Sequence, residues 1–278
     1  MFRRASALAR SAHPGPSLAV TVVALALGAA VGLEAWRVAL LGTAILFDQL
    51  SVGLSNDWID ARRDRAVGRT DKPAATGEIS VAAVRAAAAV TALIALMITL
   101  PLGLAATLAH LIALASAWSY NAVLKNSPVS VLPYALSFGL LPAIASLSNA
   151  PPAFPAWWTL LAGAMLGVAA HFANVLPDLD DDRETGIRGL PHRLGLRASL
   201  VVTWGSLVLG AVAIAIGLAP TSTAAVGFSG LGVSLLLGSV GLVCALRLGV
   251  GRWLFRLVIV AALVDVAMLV VAGTRMLA

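Results

Sequence analysis

A chain of 278 residues that is 60% hydrophobic and only 12% charged, with a mean hydropathy of +0.94, lies outside the range of soluble domains. A formal net charge of +6 and a pI near 10.7 do not make it a nucleic-acid binder, because the basic residues are spread over the connections between apolar runs, where membrane topology accounts for them. The single cysteine, Cys244, sits inside an apolar run, which excludes a disulfide framework and a cysteine-based zinc site.

The chain opens on a basic tail, Met1 to Pro16, that carries Arg3, Arg4 and Arg10 and ends in His-Pro-Gly-Pro. Nine apolar stretches follow at about 17–33, 38–56, 80–100, 103–120, 129–148, 156–177, 197–218, 223–244 and 254–276. Each is near the ~20 residues needed to cross a bilayer. They predict an all-α fold, a polytopic membrane helical bundle of about nine transmembrane helices, with one integral membrane domain over 1–278. The first stretch resembles a signal-peptide core, but with so many spans behind it, it reads as a retained helix. With the N-terminus cytoplasmic, seventeen of the nineteen Lys and Arg residues fall on inside segments, and only Arg37 and Arg275 are left outside. The small-xxx-small spacings Gly28/Gly32 and Gly163/Gly167 read as ordinary close helix packing.

Two hydrophilic segments stand out, because ten of the thirteen acidic residues lie in them. The first, Ser55 to Ser80, holds Asn56, Asp57, Asp60 and Asp64, with Arg62, Arg63, Arg65, Arg69 and Lys72 beyond. Asp57, Asp60 and Asp64 stand at i, i+3 and i+7, so their carboxylates share one helical face. Clustered carboxylates repel unless a cation lies among them, and such hard oxygen ligands suit Mg²⁺, which keeps waters and phosphate oxygens in its shell. The basic residues are then placed to hold the rest of a phosphate group. The plainer reading is a solvated loop whose charge only sets topology.

The connection from Tyr120 to Pro133 carries a lone lysine, Lys125, able to reach a phosphate or equally to snorkel at the interface. The second acidic segment, Pro177 to Gly195, holds Asp178, Asp180, Asp181, Asp182 and Glu184, followed by Arg188 and Arg193. It falls on the same side as the first. Facing each other, the two segments could hold two Mg²⁺ ions around one diphosphate. On the preceding span His171 and Asn174 lie seven and four residues before Asp178, on its face, and Gln49 lies eleven before Asp60 on its face. Polar groups aimed at a charged cavity within a membrane are functional candidates, although an interhelical hydrogen bond explains them as well. Asp48, nearly opposite Asp57, and Asp265 have no such alignment and read only as partnered intramembrane acids.

With both segments in view, the chain resembles the UbiA superfamily of intramembrane prenyltransferases. Its first motif, N-D-x-x-D-x-x-x-D, is matched by Asn56, Asp57, Asp60 and Asp64, with Arg69-Thr70 beyond. An R-P-x-x-x-G element reads here Lys72-Pro73-Ala74-Ala75-Thr76-Gly77, with lysine for arginine and about one residue less before it than in the 4-hydroxybenzoate branch. The second motif, D-x-D-D-D-x-x-x-G-I, is matched by Asp178, Asp180, Asp181, Asp182, Gly186 and Ile187, and Tyr120 to Lys125 is similar to Y-x-x-x-L-K. The resemblance implies a prenyl diphosphate donor, an acceptor yet to be identified, the bilayer as surroundings, and Mg²⁺ held by Asp57, Asp60, Asp64, Asp178 and Asp182. Asn56, Arg69, Lys72, Tyr120 and Lys125 would contact the diphosphate, Asp181 would serve the acceptor or its proton, and Gln49, His171 and Asn174 would line the cavity.

Three rival readings stand beside this one. A CDP-alcohol phosphotransferase would need a glycine where Trp58 stands and aspartates at Ala75 and Ile79. A cation-coupled transporter would place its acids near mid-membrane at broken helices rather than at one face. A terpene cyclase of the same superfamily shares both aspartate motifs, and only dependence on an acceptor separates it from a transferase.

Overall fold

The computed structural model describes residues 2–176, 179, 186–249 and 251–278. Among these the chain is helical, with one isolated β-bridge between Pro155 and Leu277. Helices α1 (Phe2–Ser11) and α2 (Pro14–Ala30) meet at a bend of 60°. Prolines in the first turn of α2 suit a position whose N–H groups have no intrahelical partner. Then come α3 (Ala35–Ala66), the four-residue α4 (Pro73–Thr76), α5 (Val81–Thr99), α6 (Leu104–Ala122), α7 (Leu132–Leu147) and α8 (Trp157–Val175). The chain closes with α9 (Leu190–Leu218), α10 (Ala224–Leu248) and α11 (Arg252–Ala272).

Each expected apolar stretch coincides with one helix: α2, α3 and α5 to α11. Among the described residues six of them, α3, α5, α8, α9, α10 and α11, are long and apolar enough to cross a membrane alone, and the bent pair α1–α2 passes as one unit. The other two fall short for visible reasons. Helix α7 has sixteen residues, and α6 carries His110 and ends in Trp118-Ser119-Tyr120-Asn121.

Lipid tails are as apolar as leucine, so association of these helices rests on packing rather than on water release. Large side chains such as Leu93, Leu104, Leu236 and Leu263 are accordingly exposed on the outer face. Where α7 and α8 cross, a Cβ on Gly163 would meet the Phe138 carbonyl oxygen at 2.5 Å and one on Gly167 the Tyr134 carbonyl oxygen at 2.3 Å, so only glycine permits that approach. The Gly28/Gly32 pair divides its work: Gly28 packs against Leu41, while Gly32 forms the turn after α2 with φ +83°. A compact cluster of Ala7, Ala12, Leu54, Ala61, Ala74, Ile79, Val84 and Ala88 joins α1, α3, α4 and α5 beneath the first acidic segment.

Candidate active site

Helix α3 has 32 residues, about 48 Å at 1.5 Å per residue, against a hydrocarbon thickness of about 30 Å. Its last turns therefore project beyond the apolar layer, and those turns carry Asn56, Asp57, Asp60 and Asp64. All three aspartates are buried on the face turned to the protein. Asp60 takes the Lys125 ammonium, the Arg63 guanidinium at 3.0 Å and the Asn56 amide at 3.3 Å. Asp64 receives Arg63 at 3.4 Å. Asp57 differs. The Lys72 ammonium pairs with its Oδ1 at 2.8 Å, while its Oδ2 is buried without a hydrogen-bond partner. Basic side chains thus interleave the three carboxylates, and the repulsion expected between them is offset within the chain.

The cations are delivered by two connections. Arg65 donates to the carbonyl oxygens of Ala74 at 3.2 Å and Ala75 at 3.1 Å, which winds the chain back after α3 and brings Lys72, just ahead of α4, against Asp57. Arg69 is exposed and forms a two-pronged pair with Asp71 at 2.8 and 2.7 Å. That guanidinium holds the Asp71 carboxyl down at about 2. Lys125 lies in a 3₁₀ turn after α6. Burial pulls its ammonium below the ordinary lysine range, and the Asp60 carboxylate opposes that shift. Asn121 fastens α6 to α3 by donating to Ser55 Oγ at 2.7 Å and the Val52 carbonyl at 3.0 Å. Tyr120 stacks edge-on against Tyr134 and His171, with ring centroids 5.0 and 5.6 Å apart.

Asp178, Asp180, Asp181 and Asp182 lie outside the described residues. What is described are the two ends of that connection. Ser130, fully buried between α6 and α7, makes a 3.0 Å hydrogen bond with His171 Nε2 on α8 and accepts the Leu190 N–H of α9 at 2.8 Å. A Cβ on Gly189 would meet the Lys125 carbonyl oxygen at 2.6 Å, so the strand of chain that bears Lys125 packs directly on the start of α9.

On α8, His171 is buried and Asn174, three residues on, is exposed. Gln49 turns its amide to Asp48 Oδ2 at 2.8 Å, and Asp48 Oδ1 lies 3.5 Å from His110 Nε2, whose Nδ1 is bonded to Thr99 at 2.7 Å. That gives Asp48 the partner its sequence position lacked. Sequence reasoning missed His13, which stands 2.8 Å from Lys72 Nζ, and Ser130. Neither belongs to an acidic run or a helical face, so no periodic signal marks them.

The donor set fits a divalent cation. Asp57 offers a buried Oδ2 with no hydrogen-bond partner, and hard oxygen donors are what Mg²⁺ selects. Among the described residues no three acidic, histidine or cysteine side chains converge on one point to hold an ion by themselves.

A profile of the UbiA prenyltransferase family matches residues 17–271. The chain is 33% identical over 164 residues to the 4-hydroxybenzoate octaprenyltransferase of Cupriavidus necator, a match covering 58% of this chain and 57% of that one. It is 32% identical over 184 residues to the protein of the same name from Ralstonia nicotianae, covering 65% and 56%. The chain thus spans little more than half the length of these relatives. Among solved structures, a UbiA homologue from Archaeoglobus fulgidus bound to GPP and Mg²⁺ superposes with a TM-score of 0.76 at 16% identity, covering 95% of this chain and 98% of that one. The apo UbiA homologue from Aeropyrum pernix K1 gives 0.74 at 18% identity, over 90% and 97%. At such identities the likeness is one of fold.

Proposed function

The chain belongs to the UbiA prenyltransferase family, and from that premise we propose that it transfers a prenyl group from a prenyl diphosphate to an acceptor within the membrane, with Mg²⁺. The observation that carries the reading is Asp57: a carboxylate only 1% exposed, at the end of a membrane helix, with one oxygen 2.8 Å from the Lys72 ammonium and the other without a hydrogen-bond partner. Lys72 offsets part of the cost of burying that charge, and a divalent ion on the remaining oxygen would complete it.

Asp57, Asp60 and Asp64, with Asp178 and Asp182, are the residues that would hold two ions. Bound there, Mg²⁺ would supply charge neutralisation for a leaving diphosphate. Lys72 and Lys125 add fixed positive charge at the same end, and Asn56, Tyr120 and Arg69 complete the proposed contacts. Such preorganised charge is worth most in a site sheltered from water. In the reaction the allylic C1–O bond breaks with its electron pair leaving on the diphosphate. The acceptor's nucleophilic atom then bonds to C1 and the acceptor loses a proton, for which Asp181 is the proposed recipient. The ring cluster of Tyr134 with the buried His171 and Phe172, in contact with Tyr120, would keep water from an allylic cation. Gln49, His171 and Asn174 are proposed for the cavity wall, 1–278 as a single catalytic domain, and the cytoplasmic side for the N-terminus and both motifs, on the distribution of Lys and Arg.

The curated relatives are named for 4-hydroxybenzoate and an octaprenyl group, which makes 4-hydroxybenzoate the first acceptor to try. The test is diphosphate release from purified protein with geranyl, farnesyl, geranylgeranyl and octaprenyl diphosphate, with and without acceptor and with Mg²⁺ or EDTA, products being identified by mass. Acceptor-dependent release giving a prenylated product is expected. Release without acceptor, giving a cyclic hydrocarbon or alcohol, would replace transfer by cyclisation.

A further inference from the structure

The break between α1 and α2 puts into the site a residue that lies outside both aspartate motifs and ahead of the stretch matched by the family profile, which begins at residue 17. His13 has φ 52° and ψ 63°, and it is the one non-glycine residue with positive φ among the described residues. The left-handed conformation is unfavourable for an L-residue, whose Cβ crowds the following carbonyl oxygen, whereas glycine adopts it freely. Pro14 adds a second constraint, since a following proline disfavours the right-handed helical region.

Several contacts hold this strained turn against α3. A Cβ on Gly53 would meet the Ala12 carbonyl oxygen at 2.4 Å, so the turn lies backbone to backbone on the helix that bears Asp57. Ser17 Oγ donates to the carbonyl oxygens of Ala12 and His13, both at 3.1 Å. Ala7 and Ala12 are packed into the cluster that includes Leu54, Ala61 and Ala74, and Arg10 pairs with Glu78 on the far side of α4.

The product of this arrangement is a 2.8 Å contact between His13 Nε2 and Lys72 Nζ. An ammonium has donors and no acceptor, so Lys72 donates and His13 Nε2 accepts, with the ring proton on Nδ1. The same assignment leaves Nε2 nothing to give to Asp57 Oδ1, 3.7 Å away, so this neighbour of Asp57 acts on Lys72 and not on the carboxylate.

We propose that His13 is a positioning residue for the prenyl diphosphate: it fixes the Lys72 ammonium beside Asp57 before substrate arrives. Lysine has a long stem rich in rotamers, and ordering it in the free protein removes that entropic cost from the binding step. One N–H is given to His13 and another side of the ammonium faces Asp57 Oδ1 at 2.8 Å, so the remaining N–H is the one offered to a phosphate oxygen. This rests on Lys72 being a diphosphate anchor, as proposed above.

The experiment is a double-mutant cycle on KM and kcat for prenyl diphosphate, with folding followed by thermal denaturation in detergent. Lys72→Ala is expected to raise KM about tenfold, the effect of losing a hydrogen bond to a charged group. His13→Ala should raise KM several-fold with kcat nearly unchanged, and less than about twofold in the Lys72→Ala background. His13→Gln, whose amide oxygen can accept from Lys72, should restore most of the affinity. His13→Gly relieves the left-handed strain, so it should keep or raise the melting temperature while still raising KM. If Lys72→Ala leaves KM unchanged, the anchor reading falls and this inference with it. If Lys72→Ala raises KM but His13→Ala does not, or costs as much with Lys72 absent, only the inference falls.

Discussion

Asp57 and Asp265 are both carboxylates on membrane helices, exposed to 1% and 0%, and each has an oxygen without a hydrogen-bond partner. Their surroundings differ in kind. Asp57 lies beyond the apolar layer beside Lys72, with Lys125 and Arg63 on the next carboxylate along the same helix. Asp265 lies within α11, and among the described residues its hydrogen bond comes from Ser234 of α10, at 3.0 Å. A carboxylate ringed by cations stays ionised and ready to take a divalent ion or to share its cations with a phosphate. One met only by a hydroxyl is suited to pinning helices together. Burial alone therefore does not mark a site; the sign of the neighbours does.

The largest expected effect breaks the comparison if it fails. Asp57→Ala should reduce Mg²⁺-dependent diphosphate release by at least about 10²–10³-fold, with the protein still inserted and folded. Asp265→Asn, which keeps shape and hydrogen bonding, should leave turnover within about twofold and change stability by no more than about 1 kcal/mol, the scale of interhelical hydrogen bonds in membranes. Equal losses of turnover in both variants would show that the two acids do not divide the work as their neighbours suggest.

Next in size is Lys125→Met. It keeps the length of the stem and removes the ammonium from Asp60, leaving Arg63 and Asn56 on that carboxylate. KM for prenyl diphosphate should rise about tenfold, as for the loss of a charged hydrogen bond. An unchanged KM would mean that Lys125 serves only to neutralise Asp60. Ser130→Ala should act differently, because it strands the half-buried Leu190 N–H and removes the partner of His171 Nε2. A loss of about 1–3 kcal/mol in thermal stability is expected, restored by Ser130→Thr if space allows the extra methyl. Stability unchanged in the alanine variant would remove Ser130 as the tie between α7, α8 and α9.

The contrast also explains what was legible from the sequence. Helix existence was, since an apolar run marks each apolar helix among the described residues, and so was the shared face of Asp57, Asp60 and Asp64, a local consequence of helical period. Helix ends were less so. The second stretch was expected to stop near residue 56 and the seventh to start near 197, but α3 runs to Ala66 and α9 starts at Leu190. Hydropathy reports where a helix leaves the apolar layer, whereas the backbone ladder continues for as long as its residues favour it. Least legible were partners far apart in the chain. Lys125 meets Asp60 across 65 positions and Ser130 meets Leu190 across 60, and no local pattern encodes such pairings. For Gln49, helical phase placed it on the face of Asp60, but its amide is engaged by its own neighbour Asp48.

The smallest effect tests the comparison at its outer edge, where the same chemistry meets water. Arg69 and Asp71 have close geometry, at 2.8 and 2.7 Å, but their side chains are 49% and 60% exposed. The guanidinium lowers the Asp71 carboxyl to about 2 in the folded protein, against about 3.9 for an unperturbed aspartate. A folded-state value below the unfolded one means stability that is present above about pH 4 and lost as the pH falls toward 2. Water screens so exposed a pair, so the contribution is below about 1 kcal/mol. Asp71→Asn should accordingly lower the melting temperature slightly at pH 6, and the difference from the parent should shrink between pH 4 and pH 2. A large, pH-independent loss would instead place Asp71 among the buried ion pairs, and exposure would no longer predict how much a charge pair contributes to the fold.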